Sequence, residues 1–354
     1  MVQKKKILFV VEAMGGGVFT YIVDLANELV KTYDMTIAYA TRPQTPSNYR
    51  SYFDERIQLI KVKHFTRAVN PAKDIKALLE IRKIAKDVNP DIIHLHSSKA
   101  GALGRIAFAG WKIPLYYTPH GYSFLMEDYN PVKRNLFGKT EALLAKGKCT
   151  TISCSYGEHL ETLKLTPNAD WVNNGINTDT LDKILSGTPA MEHPFTVFTV
   201  GRICPQKNPK LFNQIALNLP ELKFLWIGDG ELREELTAEN IEITGWLERR
   251  DAIARCVNAD VFLLTSLWEG MPISLLEAMY MQKLCVVNDV IGSRDVIQNE
   301  KNGFVCQTVE EFCAAVTSRQ TDKLIQIARE DVKREYNTTV MAEHYSSIYE
   351  GNAL

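Results

Sequence analysis

The chain has 354 residues, 45% of them hydrophobic and 23% charged, and its formal net charge is −1. This is the composition of an ordinary globular protein, and the length favours two domains because single cores stop growing at roughly 250–300 residues. Seven scattered cysteines without a C-x-x-C pair or zinc-like spacing favour a reduced, cytoplasmic protein over a secreted one. No stretch contains the roughly 18 apolar residues that a membrane-spanning helix needs, so we expect none.

The small net charge conceals an uneven distribution, because residues 1–170 carry 24 Lys and Arg against 16 Asp and Glu. Such an excess favours an anionic partner for the N-terminal half, although charges spread over solvated helices explain it equally well. A phosphorylated lipid, a membrane surface and nucleic acid all qualify by charge alone. Because no nucleic-acid-binding motif occurs, we expect no nucleic-acid partner.

In the first half, short β-branched runs alternate with stretches of helical periodicity. Strands are predicted at residues 6–11, 35–39, 57–62, 91–95, 115–118 and 149–152. Helices are predicted between them at residues 19–31, 71–88, 99–109, 131–145 and 156–163. Strands that alternate with helices of this length form βαβ units around a parallel sheet.

The same pattern restarts after residues 166–188, which read as turns joining two domains. The predicted strands of the second half lie at residues 195–200, 223–227, 241–243, 261–264 and 284–287. Its predicted helices lie at residues 209–217, 231–237, 249–257, 272–281 and 308–318. A last helical stretch at 324–352 carries Tyr345 and Tyr349 one turn apart, and we expect both in the core.

The expected fold is therefore α/β, with two doubly wound, Rossmann-like domains that face a central cleft. We predict an N-terminal acceptor-binding domain at residues 1–168 and a donor-binding domain at residues 169–335. Residues 336–354 are predicted to form a C-terminal helix that packs back on the N-terminal domain.

A glycine loop, Gly15–Gly17, follows the first strand and opens the first helix. Glycines there let backbone amides approach a ligand, and a helix N-terminus favours an anion. The spacing is neither G-x-G-x-x-G nor a P-loop, and no acidic residue ends the second strand. These departures argue against a dehydrogenase and against a P-loop nucleotidase.

Arg202 and Lys207 occupy the equivalent place in the second half, after one strand and before the next helix. A guanidinium fork and an ammonium group near a helix N-terminus suit a diphosphate. No D-x-D triplet occurs in the chain, so the usual carboxylate pair for a diphosphate-bound divalent cation is missing. The two cations would then neutralise the diphosphate themselves.

His120 ends the fifth predicted strand, beside Pro119 and Gly121, which is a favourable position for a site residue. His94 and His96 alternate with Leu95 along the preceding strand, and we expect them to point to opposite faces of the sheet. Without a third ligand, we predict no metal site.

Two glutamates, Glu269 and Glu277, flank the turn between an apolar strand and an amphipathic helix. Carboxylates above the carboxyl end of a strand suit a polyhydroxylated ligand. Ser274 and Glu277 also match the S-x-x-E pattern of a capping box, so a purely structural role is equally open from this stretch alone.

In order, these motifs resemble those of a family-4 glycosyltransferase. The resemblance covers nearly the whole length and rests on Gly15–Gly17, His120-Gly121, Asn174-Gly175-Ile176-Asn177, Gly201-Arg202 with Lys207, Gly228-Asp229-Gly230 and Glu269-Gly270-Met271-Pro272 with Glu277-Ala278-Met279. The family has the GT-B fold, retains the anomeric configuration and includes bacterial polysaccharide and glycolipid enzymes.

The resemblance implies a catalytic set and a donor-binding set. Arg202 and Lys207 resemble the pair that holds the diphosphate of the donor, and Glu269 and His120 resemble residues beside the transferred sugar. Glu277 resembles the carboxylate that binds the ribose hydroxyls. The remaining donor-binding residues implied are Gly16, Gly17, Gly201, Gly228, Gly270, Met271, Pro272, Ser274 and Leu275.

The resemblance also implies the substrates and the location. The expected donor is a UDP-sugar, and the expected acceptor is a saccharide or lipid-linked saccharide. No cofactor or metal is expected. The protein would be cytoplasmic, with peripheral contact to the inner face of the cell membrane left open. Met271-Pro272 stands where many members have Phe-Gly, so contacts around the sugar are expected to differ.

Two alternative functions remain. A sugar-nucleotide epimerase shares the two-domain architecture, and a non-catalytic partner subunit could share the fold, although the intact set of charged residues argues against the latter. Residues 130–148 combine basic and apolar side chains and would either lie on an anionic membrane or pack their apolar face on the sheet. From the sequence, packing on the sheet is the preferred expectation.

Overall fold

The structure is a computed structural model that describes residues 4–66, 68–127 and 129–352. The chain divides into two units. The first unit contains residues 4–125, 129–174 and 338–352 of the described chain, and the second contains residues 126–127 and 175–337.

The first unit is built around a parallel sheet whose strands are β1 (Lys6–Met14), β2 (Asp34–Thr41), β3 (Gln58–Lys61), β4 (Ile92–His96), β5 (Leu115–Thr118), β6 (Thr150–Ser153) and β7 (Ala169–Trp171). The helices that alternate with them are α1 (Gly16–Leu29), α2 (Pro71–Val88), α3 (Ser98–Ala107), α4 (Pro131–Leu144) and α5 (Tyr156–Leu163). The strand order is β3-β2-β1-β4-β5-β6-β7. Because β1 and β4 are adjacent, the order of strands reverses there, as at the binding edge of other doubly wound sheets.

The second unit repeats this plan. Its strands are β8 (Thr196–Val200), β9 (Lys223–Ile227), β10 (Ile241–Ile243), β11 (Val261–Leu264), β12 (Leu284–Asn288) and β13 (Phe304–Cys306), paired in parallel in the order β10-β9-β8-β11-β12-β13. Its helices are α6 (Thr178–Ser186), α7 (Pro209–Asn218), α8 (Arg249–Val257), α9 (Ile273–Tyr280), α10 (Val309–Val316) and α11 (Asp322–Glu335).

Both sheets are buried on both faces. In β1, Ile7 and Phe9 pack into one core and Leu8 and Val10 into another, because successive side chains of a strand point to opposite faces. The strands of the second sheet divide in the same way. This explains why the strands read as nearly continuous apolar runs, as parallel strands covered by helices do. The predicted fold class is confirmed.

The chain ends in α12 (Thr338–Tyr349), which packs against α1 in the first unit. Tyr345 and Tyr349 are both buried in the core of that unit, as predicted. Within residues 4–66, 68–127 and 129–352, no helix is long and apolar enough to cross a membrane.

The stretch between the two sheets differs from the prediction. Residues 166–188 were expected to be turns, but they contain β7, which pairs with β6, and helix α6, which Asn177 caps through Thr180 N–H. The first unit therefore extends to residue 174. The helix predicted at 231–237 is reduced to a single 3-10 turn at Arg233–Glu235, and β13 was not predicted.

Candidate functional site

Three of the charged residues predicted in the second unit, Arg202, Lys207 and Glu269, lie in loops at the carboxyl ends of β8 and β11. Lys207 ends a 3-10 turn, Pro205–Lys207, that follows β8, and Glu269 lies in the loop after β11. The two side chains form an ion pair, with 2.6 Å between Lys207 Nζ and Glu269 Oε1, and are only 15% and 8% exposed. Gln206 Nε2 donates to the other carboxylate oxygen at 3.3 Å.

Arg202 leaves the same loop in a different environment. Its guanidinium pairs with Glu231 at 2.9 Å, and these side chains are 36% and 46% exposed. A pair this exposed contributes little to stability, so an anionic ligand can replace Glu231 at small cost. The loop after β8 thus presents one enclosed cation and one cation open to solvent.

Close backbone contacts, which only glycine permits, hold these loops. Gly228 follows β9 with a φ of 140°, and a Cβ there would lie 2.2 Å from the carbonyl oxygen of Gly201. Gly292, after β12, has a φ of 82°, and its Cβ would lie 2.1 Å from the carbonyl oxygen of Gly270. Each contact fixes a loop that carries candidate site residues against a neighbouring loop.

Glu277 lies inside α9 and also has a basic partner. Arg249, the first residue of α8, places Nη2 2.6 Å from Glu277 Oε1, and the two side chains are 26% and 10% exposed. Burial and the nearby Glu277 carboxylate raise the pKa of the Cys256 thiol. Sequence reasoning missed Arg249, because its partner lies on a different helix.

The capping-box alternative for Ser274 and Glu277 is wrong. Helix α9 begins at Ile273, its N-cap is Pro272, and no side chain caps it, so Ser274 lies within the first turn. Leu275 has a fully buried side chain, and its N–H already donates to the Pro272 carbonyl at 3.1 Å. Of the two donor-binding residues that the resemblance implies in this turn, Leu275 is therefore the weaker candidate for a contact through its backbone amide.

Met271 is 4% exposed and packs in the core beside α9, directly before Pro272.

In the first unit, the predicted loop residues Gly16 and Gly17 form the first turn of α1 and are exposed. A Cβ added to either glycine would meet nothing within 4 Å, so this backbone is open to a ligand.

His120 follows β5 in a left-handed backbone conformation with a φ of 56°, which is uncommon outside glycine. The next residue holds it there, because Gly121 N–H donates to Glu158 Oε1 at 2.7 Å. The ring meets the edge of Tyr21, 4.6 Å away between centroids, and stacks on His96 at 5.4 Å. Burial lowers the pKa of His120 to about 3, so the imidazole is neutral at physiological pH.

The prediction that His94 and His96 point to opposite faces is wrong. Residues two apart on a strand share a face, and the two rings lie 4.1 Å apart between centroids. Both are fully buried, and burial lowers the pKa of each well below its usual value. In the described part of the chain, no group of three or more His, Cys, Asp or Glu side chains is arranged to hold a metal ion.

Comparison with known proteins assigns the family. Residues 15–180 match the family described as Glycosyltransferase Family 4, and residues 194–322 match the family described as Glycosyl transferases group 1. A relative in Escherichia coli, the UDP-Gal:alpha-D-GlcNAc-diphosphoundecaprenol alpha-1,3-galactosyltransferase, is 31% identical over 340 residues, which covers 84% of this chain and 85% of that protein. The chain belongs to glycosyltransferase family 4.

A second relative of this family-4 glycosyltransferase comes from Campylobacter jejuni. It is the N,N'-diacetylbacillosaminyl-diphospho-undecaprenol alpha-1,3-N-acetylgalactosaminyltransferase, 23% identical over 82% of this chain and 85% of that protein. Sucrose-phosphate synthase from Thermosynechococcus elongatus has the same fold, with a TM-score of 0.82, 14% identity and coverage of 98% of this chain and 99% of that one. HepE from Anabaena, solved with UDP and glucose, matches with a TM-score of 0.77, 15% identity and coverage of 98% and 100%. The fold is GT-B.

Helix α4 of this glycosyltransferase exposes part of the apolar face that was expected to pack on the sheet. Val132, Leu136 and Leu143 are 81%, 61% and 66% exposed, whereas Glu141 is buried. Glu141 accepts from Arg105 Nη2 at 2.6 Å and from the Tyr117 hydroxyl at 3.2 Å. The helix is thus anchored through Glu141, with Val132, Leu136 and Leu143 turned outward and Phe137 and Leu144 half-buried. The prediction that the apolar face packs on the sheet is therefore wrong for Leu136 and Leu143.

Proposed function

We propose that this glycosyltransferase transfers a sugar from a UDP-sugar to a lipid-linked saccharide in the synthesis of a cell-surface polysaccharide or glycolipid. The observation that carries the proposal is the pairing of Glu269 with Lys207 and of Glu277 with Arg249 in the loops and helices that follow β8, β10 and β11. These pairs hold two carboxylates in fixed positions near two cations. Carboxylates suit the hydroxyls of a sugar and a ribose, and Lys207, together with the more exposed Arg202, suits the diphosphate between them.

The relatives support this choice of substrates. The Escherichia coli relative is named for UDP-Gal and for a diphosphoundecaprenol-linked acceptor, and the Campylobacter jejuni relative is named for a diphospho-undecaprenol acceptor. HepE was solved with UDP and glucose.

We propose retention of the anomeric configuration by attack on the face from which the diphosphate departs. The bond between the anomeric carbon and the diphosphate oxygen breaks, and a bond from the acceptor hydroxyl to that carbon forms. The proton of the hydroxyl passes to the departing phosphate. Lys207 and Arg202 stabilise the negative charge that develops on this phosphate. Electrostatic stabilisation by preorganised groups is usually the largest single contribution to the rate of such a reaction.

We also propose that the reaction needs no divalent metal, because the chain lacks a D-x-D triplet and supplies Arg202 and Lys207 for the diphosphate. Transfer should therefore continue after dialysis against EDTA. A rate that vanishes on chelation and returns with Mg²⁺ or Mn²⁺ contradicts this part of the proposal.

The decisive assay incubates the protein with a panel of nucleotide sugars, with and without a diphosphoundecaprenol-linked saccharide. UDP release that requires the acceptor, and a product whose new linkage keeps the donor's anomeric configuration by NMR, are the expected results. Conversion of the donor sugar without acceptor would identify an epimerase instead. Donor binding without turnover on any acceptor would favour a non-catalytic partner subunit.

We further propose that α4 places the enzyme on an anionic membrane, where a lipid-linked acceptor resides. Val132, Leu136 and Leu143 share one exposed face, because helix positions four and eleven residues apart point in nearly the same direction. Lys133 and Lys139 are exposed along the same helix, and Lys146 and Lys148 follow it. Apolar residues flanked by lysines are the features of a helix that lies in a membrane interface.

Co-sedimentation with vesicles tests the role of α4. The protein should bind vesicles rich in phosphatidylglycerol at low salt and be released at high salt, because each lysine contributes about 1 kcal/mol near an anionic surface. Replacing Leu136 and Leu143 by Asn should reduce binding by about tenfold or more, since a leucine loses up to about 1.5–3 kcal/mol of apolar burial. Leu217→Asn, a change at a similarly exposed leucine of α7, should leave binding unchanged. Equal losses from both changes, or no binding at low salt, would exclude α4 as the membrane contact.

A further inference from the structure

A buried hydrogen-bond network lies behind His120 in the first unit. His94 places Nδ1 2.6 Å from the Tyr349 hydroxyl and Nε2 2.9 Å from Thr118 Oγ1, so both of its ring nitrogens have partners. Thr118 Oγ1 in turn lies 3.3 Å from the Tyr345 hydroxyl, to which Tyr21 donates at 2.6 Å. Because both of its ring nitrogens have other partners, His94 does not hydrogen-bond to His120.

His96 differs from His94, because only one of its nitrogens has a partner. His96 Nδ1 lies 3.2 Å from His120 Nε2, and the two rings are stacked within 24° of parallel. His96 Nε2 is buried and has no hydrogen-bond partner among the described residues. Packing explains this, because His96 is also enclosed by Phe9 and Tyr21 at 4.6 and 6.0 Å between ring centroids.

This asymmetry selects one of two proton arrangements. Burial keeps His96 and His120 neutral, so each ring carries one N–H. If His120 Nε2 carried the proton and donated to His96, the single proton of His96 would sit on Nε2 as a buried N–H without a partner. If His96 Nδ1 donates to His120 Nε2, His96 Nε2 is only an unused acceptor. Orphaned buried N–H groups are the rarer case in proteins, so the second arrangement is favoured.

We propose that His96 is a positioning residue that fixes His120 as the Nδ1–H tautomer, so that His120 acts as a hydrogen-bond donor to an oxygen of the sugar substrate. In this tautomer Nε2 is occupied by His96 and Nδ1 already carries a proton. His120 therefore has no free lone pair and does not serve as a general base, which fits transfer of the acceptor's proton to the departing phosphate. The substrate part rests on the proposed function, whereas the tautomer does not.

The backbone around His120 supports the same role. Its φ of 56° is held by the bond from Gly121 N–H to the Glu158 carboxylate, and the edge of Tyr21 limits rotation of the ring. A donor fixed on three sides loses little freedom when it binds substrate, which is the arrangement expected for transition-state stabilisation.

The first experiment reads the tautomer directly. Long-range ¹H–¹⁵N spectra of the ¹⁵N-histidine-labelled protein distinguish Nδ1–H from Nε2–H, and the His120→Gln variant assigns the His120 signals among the seven histidines. The expected result is a protonated Nδ1 and an unprotonated Nε2 on His120 at neutral and mildly acidic pH. A proton on Nε2 would overturn the proposal, whether or not the protein proves to be a glycosyltransferase.

The second experiment separates positioning from packing. His96→Asn keeps an N–H donor close to the place of Nδ1, whereas His96→Leu removes it. The leucine variant should mix the His120 tautomers and lower kcat by about tenfold with little change in the donor KM, the effect of one lost hydrogen bond in the transition state. The asparagine variant should keep His120 mostly in the Nδ1–H tautomer and retain most of the wild-type kcat. Tyr349→Phe is the matched control, because it removes a buried hydroxyl of the same network without touching His96 or His120. A similar fall of kcat in Tyr349→Phe, or no recovery in His96→Asn, would reduce His96 to a packing residue.

Discussion

Substitutions in the ion pair between Lys207 and Glu269 can separate an effect on folding stability from an effect on sugar transfer. At 2.6 Å and an effective dielectric constant of about 20, its Coulomb energy is about 6 kcal/mol, most of which the desolvation of both groups offsets. Lys207→Met leaves the carboxylate in a mostly buried place with Gln206 as a remaining donor. We therefore expect a loss of about 2 kcal/mol, below the 3–5 kcal/mol typical of fully buried pairs.

For a unit of this size, that loss corresponds to a fall in Tm of about 4–8 °C. If Lys207 also stabilises the departing phosphate, kcat should fall by about 10²–10³-fold, the usual effect of removing one such group. Differential scanning calorimetry and the transfer assay measure the two effects separately. Lys210→Met is the matched control, because Lys210 is 74% exposed and pairs only at 3.6 Å with Glu235.

The double variant Lys207→Met/Glu269→Gln separates the two roles. Removing both charges leaves no uncompensated carboxylate, so most of the lost stability should return. Transfer should remain low, since both substrate contacts are gone. A double variant that regains stability and turnover together would show that the pair is structural and that neither residue contacts the donor.

Three further predictions concern other contacts. Arg249→Gln releases the carboxylate of Glu277 and should raise the donor KM by about tenfold with little change in kcat, because ribose contacts bind ground and transition states alike; an unchanged KM would remove Arg249 from the site. Gly228→Ala places a Cβ 2.2 Å from a backbone carbonyl at a φ of 140° and should cost about 3 kcal/mol or more by urea unfolding, whereas Gly138→Ala in α4, where a Cβ meets only ordinary contacts, should be neutral or stabilising. Because burial lowers the pKa of His96, the unfolded state binds more protons than the folded state below about pH 6.5, and the free energy of unfolding should decrease as the pH is lowered in that range. His96→Asn should reduce this slope by about 1.4 kcal/mol per pH unit. An unchanged slope would mean that His96 is already charged in the folded protein.

Local patterns predicted most of the fold. The apolar runs of β1, β8 and β11 indicate buried parallel strands, because strands covered on both faces carry apolar residues at nearly every position. The elements that were missed are short or weakly apolar, such as β7 (Ala169–Trp171), whose three residues are all half-buried. A strand like this is stabilised by its neighbour in the sheet, which no local window contains.

The sequence supplies candidate site residues, but it does not reveal the contacts between them. Glu269 and Glu277 were recognised from their spacing, whereas their partners Lys207 and Arg249 meet them only after folding. Ser274 and Glu277 match the local pattern of a capping box, but α9 begins at Ile273 with Pro272 as its N-cap, so Ser274 does not cap the helix. The expected direction of His94 and His96 failed for a simpler reason, because a period of two places both on one face.

The return of α12 to the first unit determines how the enzyme can be divided. A fragment that stops at residue 174 would lack Tyr345 and Tyr349, and with them part of the core beside α1. The second unit of this protein therefore cannot be exchanged for that of a relative by a single crossover between the two genes. A chimera needs a second crossover near residue 338, so that α12 is inherited together with the strands it covers.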